Sequence, residues 1–158
     1  MKKGKRIVPE VGPKPEDGIV VDASCLPVRD SIPTDGYFHG VVEWQAVDLV
    51  SGQTIHASRP YEYGNINLAE FIAIVDALSL LHANGNTSTP VYSDSLTAIA
   101  WVKNRKMKTR HPRTGNAYRI MGLADASMDW LLDTKPMNPV RFWDNVLWGE
   151  NPADYGRK

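Results

Sequence analysis

The 158-residue chain carries no net formal charge, because 18 Lys and Arg residues balance 18 Asp and Glu residues, and 42% of its residues are hydrophobic. This length suits one domain with a sizeable core, and the balanced charge excludes a global field that would attract a polyanion or a membrane surface. The single cysteine, Cys25, excludes an internal disulfide framework and fits a reducing compartment, so a cytoplasmic location is expected. No apolar run reaches the roughly 20 residues of a transmembrane helix, and no membrane partner is expected.

The first half of the chain predicts an antiparallel meander. Residues 18–24 (GIVVDAS) form an apolar, β-branched run that is typical of a short buried strand. Residues 37–49 and 54–63 also have strand character, and a Ser-Gly-Gln turn separates them. Three strands joined in this way are expected to pair with their neighbours along the chain.

A long amphipathic helix is predicted next, over residues 65–85. Asn67 is the expected N-cap and Gly85 the expected stop. Six apolar residues recur at the spacing of one helix face. These residues are Leu68, Phe71, Ile72, Val75, Leu78 and Leu81.

The second half alternates strands and helices. A strand is predicted at 89–95, a helix at 96–103, a second helix at 116–132 and a last strand at 138–145. A meander followed by β–α–β alternation predicts an α/β fold with a mixed sheet flanked by helices. The Lys-, Pro- and Gly-rich residues 1–17 are expected to be a lead-in to one domain over 18–158.

Three carboxylates fall where buried segments should carry no charge. Asp22 and Asp94 each follow an apolar run and are predicted at the carboxyl end of a strand, where sites in parallel sheets usually open. Glu70 is predicted in the first turn of the long helix, beside its apolar face. Two of the three have an ordinary alternative: Asp94 as the cap of a helix beginning at Ser95, and Glu70 as a favourable acid at a helix N-terminus.

The three acids together indicate a shared cation site. Buried carboxylates are costly, and several around one point repel one another unless a cation neutralises them. Ligands that are all oxygen atoms favour Mg²⁺ or Mn²⁺ over Zn²⁺, and one cysteine argues against a structural zinc site.

Four segments of the sequence carry a family resemblance. They are VVDASC, NINLAEFIAIVDAL, VYSDSLTAIAWV and the final NPADYGRK. In their order and spacing they resemble type 1 ribonuclease H, in particular the bacterial single-domain ribonuclease HI branch of the ribonuclease H-like superfamily. The resemblance implies the ribonuclease H-like fold, with a five-stranded mixed sheet in which parallel strands follow the three-strand meander.

The resemblance also implies an activity and a catalytic set. The activity would be endonucleolytic hydrolysis of the RNA strand of RNA–DNA hybrids, with water as the nucleophile. The cofactor would be two Mg²⁺ ions about 4 Å apart, with Mn²⁺ as a substitute. The protein is expected to be a monomer whose partner is the hybrid. The metal-binding and catalytic acids would be Asp22, Glu70, Asp94 and Asp154.

Substrate-binding residues are also implied by the resemblance. One group would read the 2′-hydroxyls that distinguish RNA from DNA, and the other, in the basic stretch 103–113, would contact DNA-strand phosphates. A solvated loop is the alternative reading of that stretch, and Trp101 beside it is expected to be a core residue. The predicted substrate-binding residues are Ser24, Cys25, Asn67, Ser95, Lys103, Arg105, Lys106 and Lys108.

The sequence departs from the family near its last acid. Many members have a mobile His shortly before that acid, whereas none of the four His residues here lies there, and Glu150 is a candidate replacement. Two other functions stay open: a different metal nuclease of the same fold, and a non-catalytic module that binds RNA–DNA hybrids. The first would show other spacings between its acids, and the second would tolerate their loss.

Overall fold

A computed structural model describes residues 12–27, 40–111 and 115–154 of the protein. Parts of four predicted segments therefore lie outside the described residues: 1–11 of the lead-in, 37–39 of the second strand, 112–113 of the basic stretch and 155–158 of the last motif. The strands are β1 (Ile19–Pro27), β2 (Gly40–Asp48), β3 (Thr54–Ala57), β4 (Tyr61–Gly64), β5 (Val91–Ser93) and β6 (Val140–Phe142). The helices are α1 (Ile66–Ala83), α2 (Leu96–Asn104), α3 (Tyr118–Thr134) and the short α4 (Asn145–Trp148).

The strands form one mixed sheet in the order β3-β2-β1-β5-β6, and β4 also pairs with β2. Strands β1 to β4 pair antiparallel, whereas β5 lies parallel to both β1 and β6. This arrangement confirms the predicted α/β fold class with its mixed sheet.

The predicted third strand, 54–63, is broken into β3 and β4, so the sheet counts six strands where five were predicted. Both pieces pair with β2, and the backbone and side chain of Ser58 exchange hydrogen bonds with Trp44 between them. Pro60 follows, and because it has no N–H it cannot continue the ladder.

Strand β1 extends beyond its predicted end, which changes the position of Asp22. The strand pairs with β2 from Ile19 to Pro27, so Asp22 lies within it, opposite Gln45. Its parallel pairing with β5, however, stops at Val20. Asp22 therefore lies just past the end of the parallel pairing, although the strand itself continues.

The N-cap of helix α1 lies two residues earlier than predicted. Asn65 is the N-cap, because its side chain accepts a hydrogen bond from the Leu68 N–H, and Asn67 lies inside the first turn. The prediction that Asn67 caps the helix is therefore wrong. Glu70 consequently lies in the second turn, and no acid occupies the first. Gly85 follows the helix at φ +71°, a backbone conformation that glycine adopts without strain and that ends the helix as predicted.

Helix α1 is the centre of the main core. It packs against β1, β2 and β5 and lies beside α2 and α3. All six apolar residues predicted on one face are buried, but so are residues on the other faces, including Ile74 and Ala77. By length and composition the helix could cross a membrane, with a mean hydropathy of 1.6, and 61% of it is buried inside the fold. Such burial is that of a central helix in a folded domain.

A smaller cluster contains Val20, Tyr92 and Trp143, all buried, with Trp148 packed against them. Along β1, Ile19 and Val21 belong to the main core. Because side chains alternate along a strand, Val20 points to the other face of the sheet. The segment after β6, which carries α4, lies on this second face.

Candidate active site

Three of the four predicted acids meet at one point. Asp22 and Glu70 are buried and Asp94 is half-buried. One carboxylate oxygen from each lies within 4.8 Å of the others. The three acids predicted to share a site therefore form one cluster in the folded protein. In the sequence, Glu70 lies 48 positions after Asp22 (70 − 22), and Asp94 lies 24 positions after Glu70 (94 − 70).

The sheet register explains why the two aspartates meet. Strands β1 and β5 are parallel, with Val20 opposite Tyr92. Asp22 lies two residues beyond Val20, and Asp94 lies two residues beyond Tyr92, directly after the end of β5, so both lie at the same edge of the parallel pairing. Glu70 reaches this edge from the second turn of α1, which packs against β1.

The ordinary alternatives for Asp94 and Glu70 are both wrong. Ser95 caps α2, because its hydroxyl accepts a hydrogen bond of 3.1 Å from the Ala98 N–H. Asp94 is therefore not the cap. The Ser95 hydroxyl, predicted to bind substrate, caps the helix. Glu70 lies beyond the first turn of α1, so proximity to the helix N-terminus does not account for its burial.

The donor set fits a hard divalent cation. All three groups are carboxylates, the ligands that Mg²⁺ and Mn²⁺ prefer. Oδ2 of Asp22 and Oε2 of Glu70 are buried atoms for which no hydrogen bond is found within the described residues, although both side chains take part in other interactions. Carboxylates this close repel one another, and a bound cation would relieve the repulsion.

Asp154 is half-buried and does not belong to the cluster of three found among the described residues. Its backbone is nevertheless tied close by. The amide of buried Asn151 donates to the Val21 carbonyl at 3.0 Å, and Gln45, which lies opposite Asp22, donates to the Ala153 carbonyl at 2.6 Å. These two bonds hold the turn before Asp154 against β1, which carries Asp22, and against the neighbouring strand β2.

Sequence reasoning missed the part played by Asn151. Its Oδ1 accepts from the Ala153 N–H at 2.8 Å, and its carbonyl accepts from the Asp154 N–H at 3.0 Å. Asn151 thus shapes the turn that carries Asp154 and joins that turn to β1. The available signal was Asn151 itself, directly before Pro152, because an Asn side chain often accepts a hydrogen bond from the backbone N–H two residues on.

The residues predicted to read the RNA strand differ in exposure. Ser24 is buried, Cys25 is half-buried, and Asn67 is exposed in the first turn of α1. Burial raises the pKa of the Cys25 thiol, which favours the unreactive protonated form. Gly40 of β2 packs closely against β1, because a Cβ atom at Gly40 would lie 2.9 Å from the Leu26 carbonyl oxygen.

The predicted basic residues divide between two hollows. Lys106 and Lys108 line an open cleft of about 500 Å³ beside Trp101. Lys103 and Arg105 line a smaller hollow of about 190 Å³ between α2 and the segment that leads into β6. Trp101 itself is buried edge-to-face against Phe71, with ring centroids 5.9 Å apart, which confirms it as a core residue.

The end of the basic segment is anchored to the start of α1. Buried His111 bonds through Nε2 to the Tyr63 carbonyl at 2.7 Å and through Nδ1 to the Asn65 amide nitrogen at 3.1 Å. A carbonyl only accepts and an amide nitrogen only donates, so the network assigns the neutral imidazole with its proton on Nε2. The same Asn65 also caps α1. A second open cleft, next to the one lined by Lys106, is lined by Asn65, Asn67 and Lys108.

Comparison with known proteins identifies the fold. No protein-family model matches the chain. The structure is similar to LC11-RNase H1, isolated from compost by a metagenomic approach, with a TM-score of 0.50 and 15% identity over 83% of this chain and 87% of that one. It is also similar to the native prototype foamy virus protease-reverse transcriptase, with a TM-score of 0.50 and 14% identity, over 93% of this chain but 19% of that one.

A third similar structure is RNase H1 from the halophilic archaeon Halobacterium salinarum NRC-1. Its TM-score is 0.45 and its identity 14%, over 87% of this chain and 92% of that one. The likeness to LC11-RNase H1 and to the foamy virus protein shows that this chain has the ribonuclease H-like fold.

Proposed function

We propose that the protein is a divalent-metal-dependent endonuclease that hydrolyses the RNA strand of RNA–DNA hybrids. The observation that carries the proposal is the convergence of Asp22, Glu70 and Asp94 within 4.8 Å. Their convergence in a chain with the ribonuclease H-like fold supports a nuclease over a structural role for these charges. The four-segment sequence resemblance supports the hybrid as its substrate.

Each acid has a defined task in this proposal. Asp22, Glu70 and Asp94 hold the cations, and Asp154 joins them from the turn shaped by Asn151. Divalent cations held by these residues would supply an activated water and would stabilise the leaving oxygen of the phosphodiester. The carboxylates position the cations and do not transfer protons themselves, so their contribution to catalysis is geometric and electrostatic.

The substrate lies across the edge of the sheet in this proposal. Asn67 is exposed in the first turn of α1, the helix that carries Glu70, and is available to a 2′-hydroxyl. Lys106 and Lys108 contact DNA-strand phosphates from their cleft, whereas Lys103 and Arg105 line a separate hollow and contribute less. Such phosphate contacts are independent of sequence and sensitive to salt.

Cleavage of labelled substrates tests the proposal. RNA–DNA hybrid, double-stranded RNA and double-stranded DNA are each incubated with Mg²⁺, Mn²⁺ or a chelator, and we expect cleavage of the hybrid RNA strand with metal only. Asp22→Asn and Asp94→Asn should abolish cleavage and leave the circular dichroism spectrum unchanged. Asp129→Asn, at an exposed acid on α3, is the matched control and should cleave normally.

The same assay separates the alternatives. Equal cutting of double-stranded DNA would point to another nuclease of this fold. Hybrid binding without cutting in any metal would point to a non-catalytic module. Full activity of either Asn variant would contradict the carboxylate site. The monomeric state and the cytoplasmic location stay predictions, which light scattering after gel filtration and cell fractionation would test.

A further inference from the structure

The segment that follows β6 leaves the sheet beside Asp94. Strands β5 and β6 are parallel, with Ser93 opposite Phe142. The pairing continues one step further, because the Trp143 N–H donates to the Ser93 carbonyl at 2.8 Å. Residues 143–145 and Asp94 therefore emerge at the same edge of the sheet.

Helix α4, which starts at this edge, is short but firmly held. The Asp144 side chain accepts hydrogen bonds from the Val146 and Leu147 N–H groups at 2.9 and 3.0 Å. The Trp148 ring packs against Trp143 with centroids 5.2 Å apart. This capping and packing fix the backbone on both sides of the first helical residue, Asn145.

Asn145 turns its amide toward the acid cluster. Its Nδ2 donates to Oδ2 of Asp94 at 3.0 Å, across 51 positions of sequence. The next residue, Val146, is 91% exposed. The first turn of α4 thus combines a polar contact to the site with an exposed aliphatic side chain.

We infer that Asn145 is a positioning residue for the proposed metal site: its amide limits rotation of the Asp94 carboxylate and keeps that group directed at Asp22 and Glu70. The inference rests on one part of the proposed function, which is that a cation binds at the cluster of Asp22, Glu70 and Asp94. An amide suits this task because it donates a hydrogen bond without a charge. A Lys or Arg at this position would form an ion pair with Asp94 and compete with the cation.

Metal binding measured without nucleic acid tests the inference directly. Titration of the purified full chain with Mn²⁺, followed by electron paramagnetic resonance, gives the affinity of wild type, Asn145→Leu and Asn145→Gln. Hydrogen-bonded partners of ligating carboxylates typically contribute about 10–100-fold to affinity, so we expect a loss of that order in Asn145→Leu. Asn145→Gln keeps a donor on a longer side chain and should recover most of the loss. Val146→Ala is the matched control and should bind Mn²⁺ like wild type.

Cleavage kinetics give a second readout. In Asn145→Leu, the Mg²⁺ concentration needed for half-maximal hydrolysis should rise by about the same factor as the Mn²⁺ dissociation constant. KM for the hybrid at saturating metal should stay unchanged, because Asn145 is assigned to Asp94 and not to the substrate.

Three results would overturn the inference. The first is unchanged Mn²⁺ affinity in Asn145→Leu, even if the wild type cleaves hybrids. The second is an equal loss in Asn145→Gln and Asn145→Leu. The third is a metal-free melting temperature far below that of Val146→Ala, which would show a structural role. If the wild type cleaves nothing, the proposed nuclease is wrong, while the Mn²⁺ titration still decides the role of Asn145.

Discussion

Replacing Asp22 with Asn should make the metal-free protein more stable and abolish its response to Mg²⁺. Asp22 is fully buried, and its carboxylate faces those of Glu70 and Asp94 with oxygen atoms within 4.8 Å of one another. At 4.8 Å and an effective dielectric constant of about 20, two unit charges repel by about 3.5 kcal/mol. Asn keeps the shape of the side chain and removes its charge, so the substitution relieves this repulsion.

The expected gain is smaller than the Coulomb figure. Other interactions of these side chains already offset part of the repulsion in the wild type, and we expect a rise of about 1–3 kcal/mol in the free energy of unfolding. Mg²⁺ should reverse the order, because a ligand at one hundred times its dissociation constant stabilises the folded state by about 2.7 kcal/mol. The wild type should gain this amount, and Asp22→Asn should gain little.

Urea unfolding near neutral pH measures both effects. Each protein is unfolded with a chelator and then at increasing Mg²⁺ concentrations. Asp129→Asn, at an exposed position on α3, is the matched control and should stay within about 0.5 kcal/mol of wild type. An Asp22→Asn protein that is less stable than wild type with chelator would refute this prediction, and so would equal stabilisation of both proteins by Mg²⁺.

Three further predictions concern groups around the acids. Asn151→Leu takes the Asn151 amide away from the Val21 carbonyl and the Ala153 N–H, and each buried group that loses its partner costs about 1–3 kcal/mol. Because these bonds hold the turn before Asp154, hybrid cleavage should fall more than stability in urea does. His111→Phe should weaken hybrid binding in fluorescence anisotropy, because the basic segment loses its bonds to the start of α1. Replacing both Lys106 and Lys108 with Ala should lower the slope of log affinity against log salt by about two, one for each lost phosphate contact.

Each of these predictions has its own control. A global loss of stability in Asn151→Leu that matches the loss of cleavage would remove the special role of the turn. Wild-type affinity in His111→Phe would show that the anchored segment does not bind substrate. Lys103→Ala tests the proposal that Lys103 contributes less to phosphate binding than Lys106 and Lys108. If Lys103→Ala changes the slope of log affinity against log salt as much as a Lys106 or Lys108 replacement does, that proposal is contradicted.

The sequence by itself was sufficient for most elements and for the choice of acids. Six apolar residues at helical spacing located α1, and the run before Asp22 located β1, because these signals are local and repeat with the period of the element. Charges at the ends of apolar runs are equally visible in sequence, since burial of a charge demands a reason. Helix caps were harder to assign, because Asn65 and Asn67 are chemically equivalent candidates two positions apart.

Only the tertiary structure decided how the site is supported. Strand pairing brings Asp94 next to Asp22, and the Ser95 hydroxyl, not Asp94, caps α2. The bonds from Asn145 to Asp94 and from Asn151 to the Val21 carbonyl join residues 51 and 130 positions apart. No periodicity or local spacing encodes such contacts, because they depend on which sheet edge each segment reaches. The acids of the candidate site could therefore be predicted from the sequence, whereas the groups that orient them are determined by the tertiary structure.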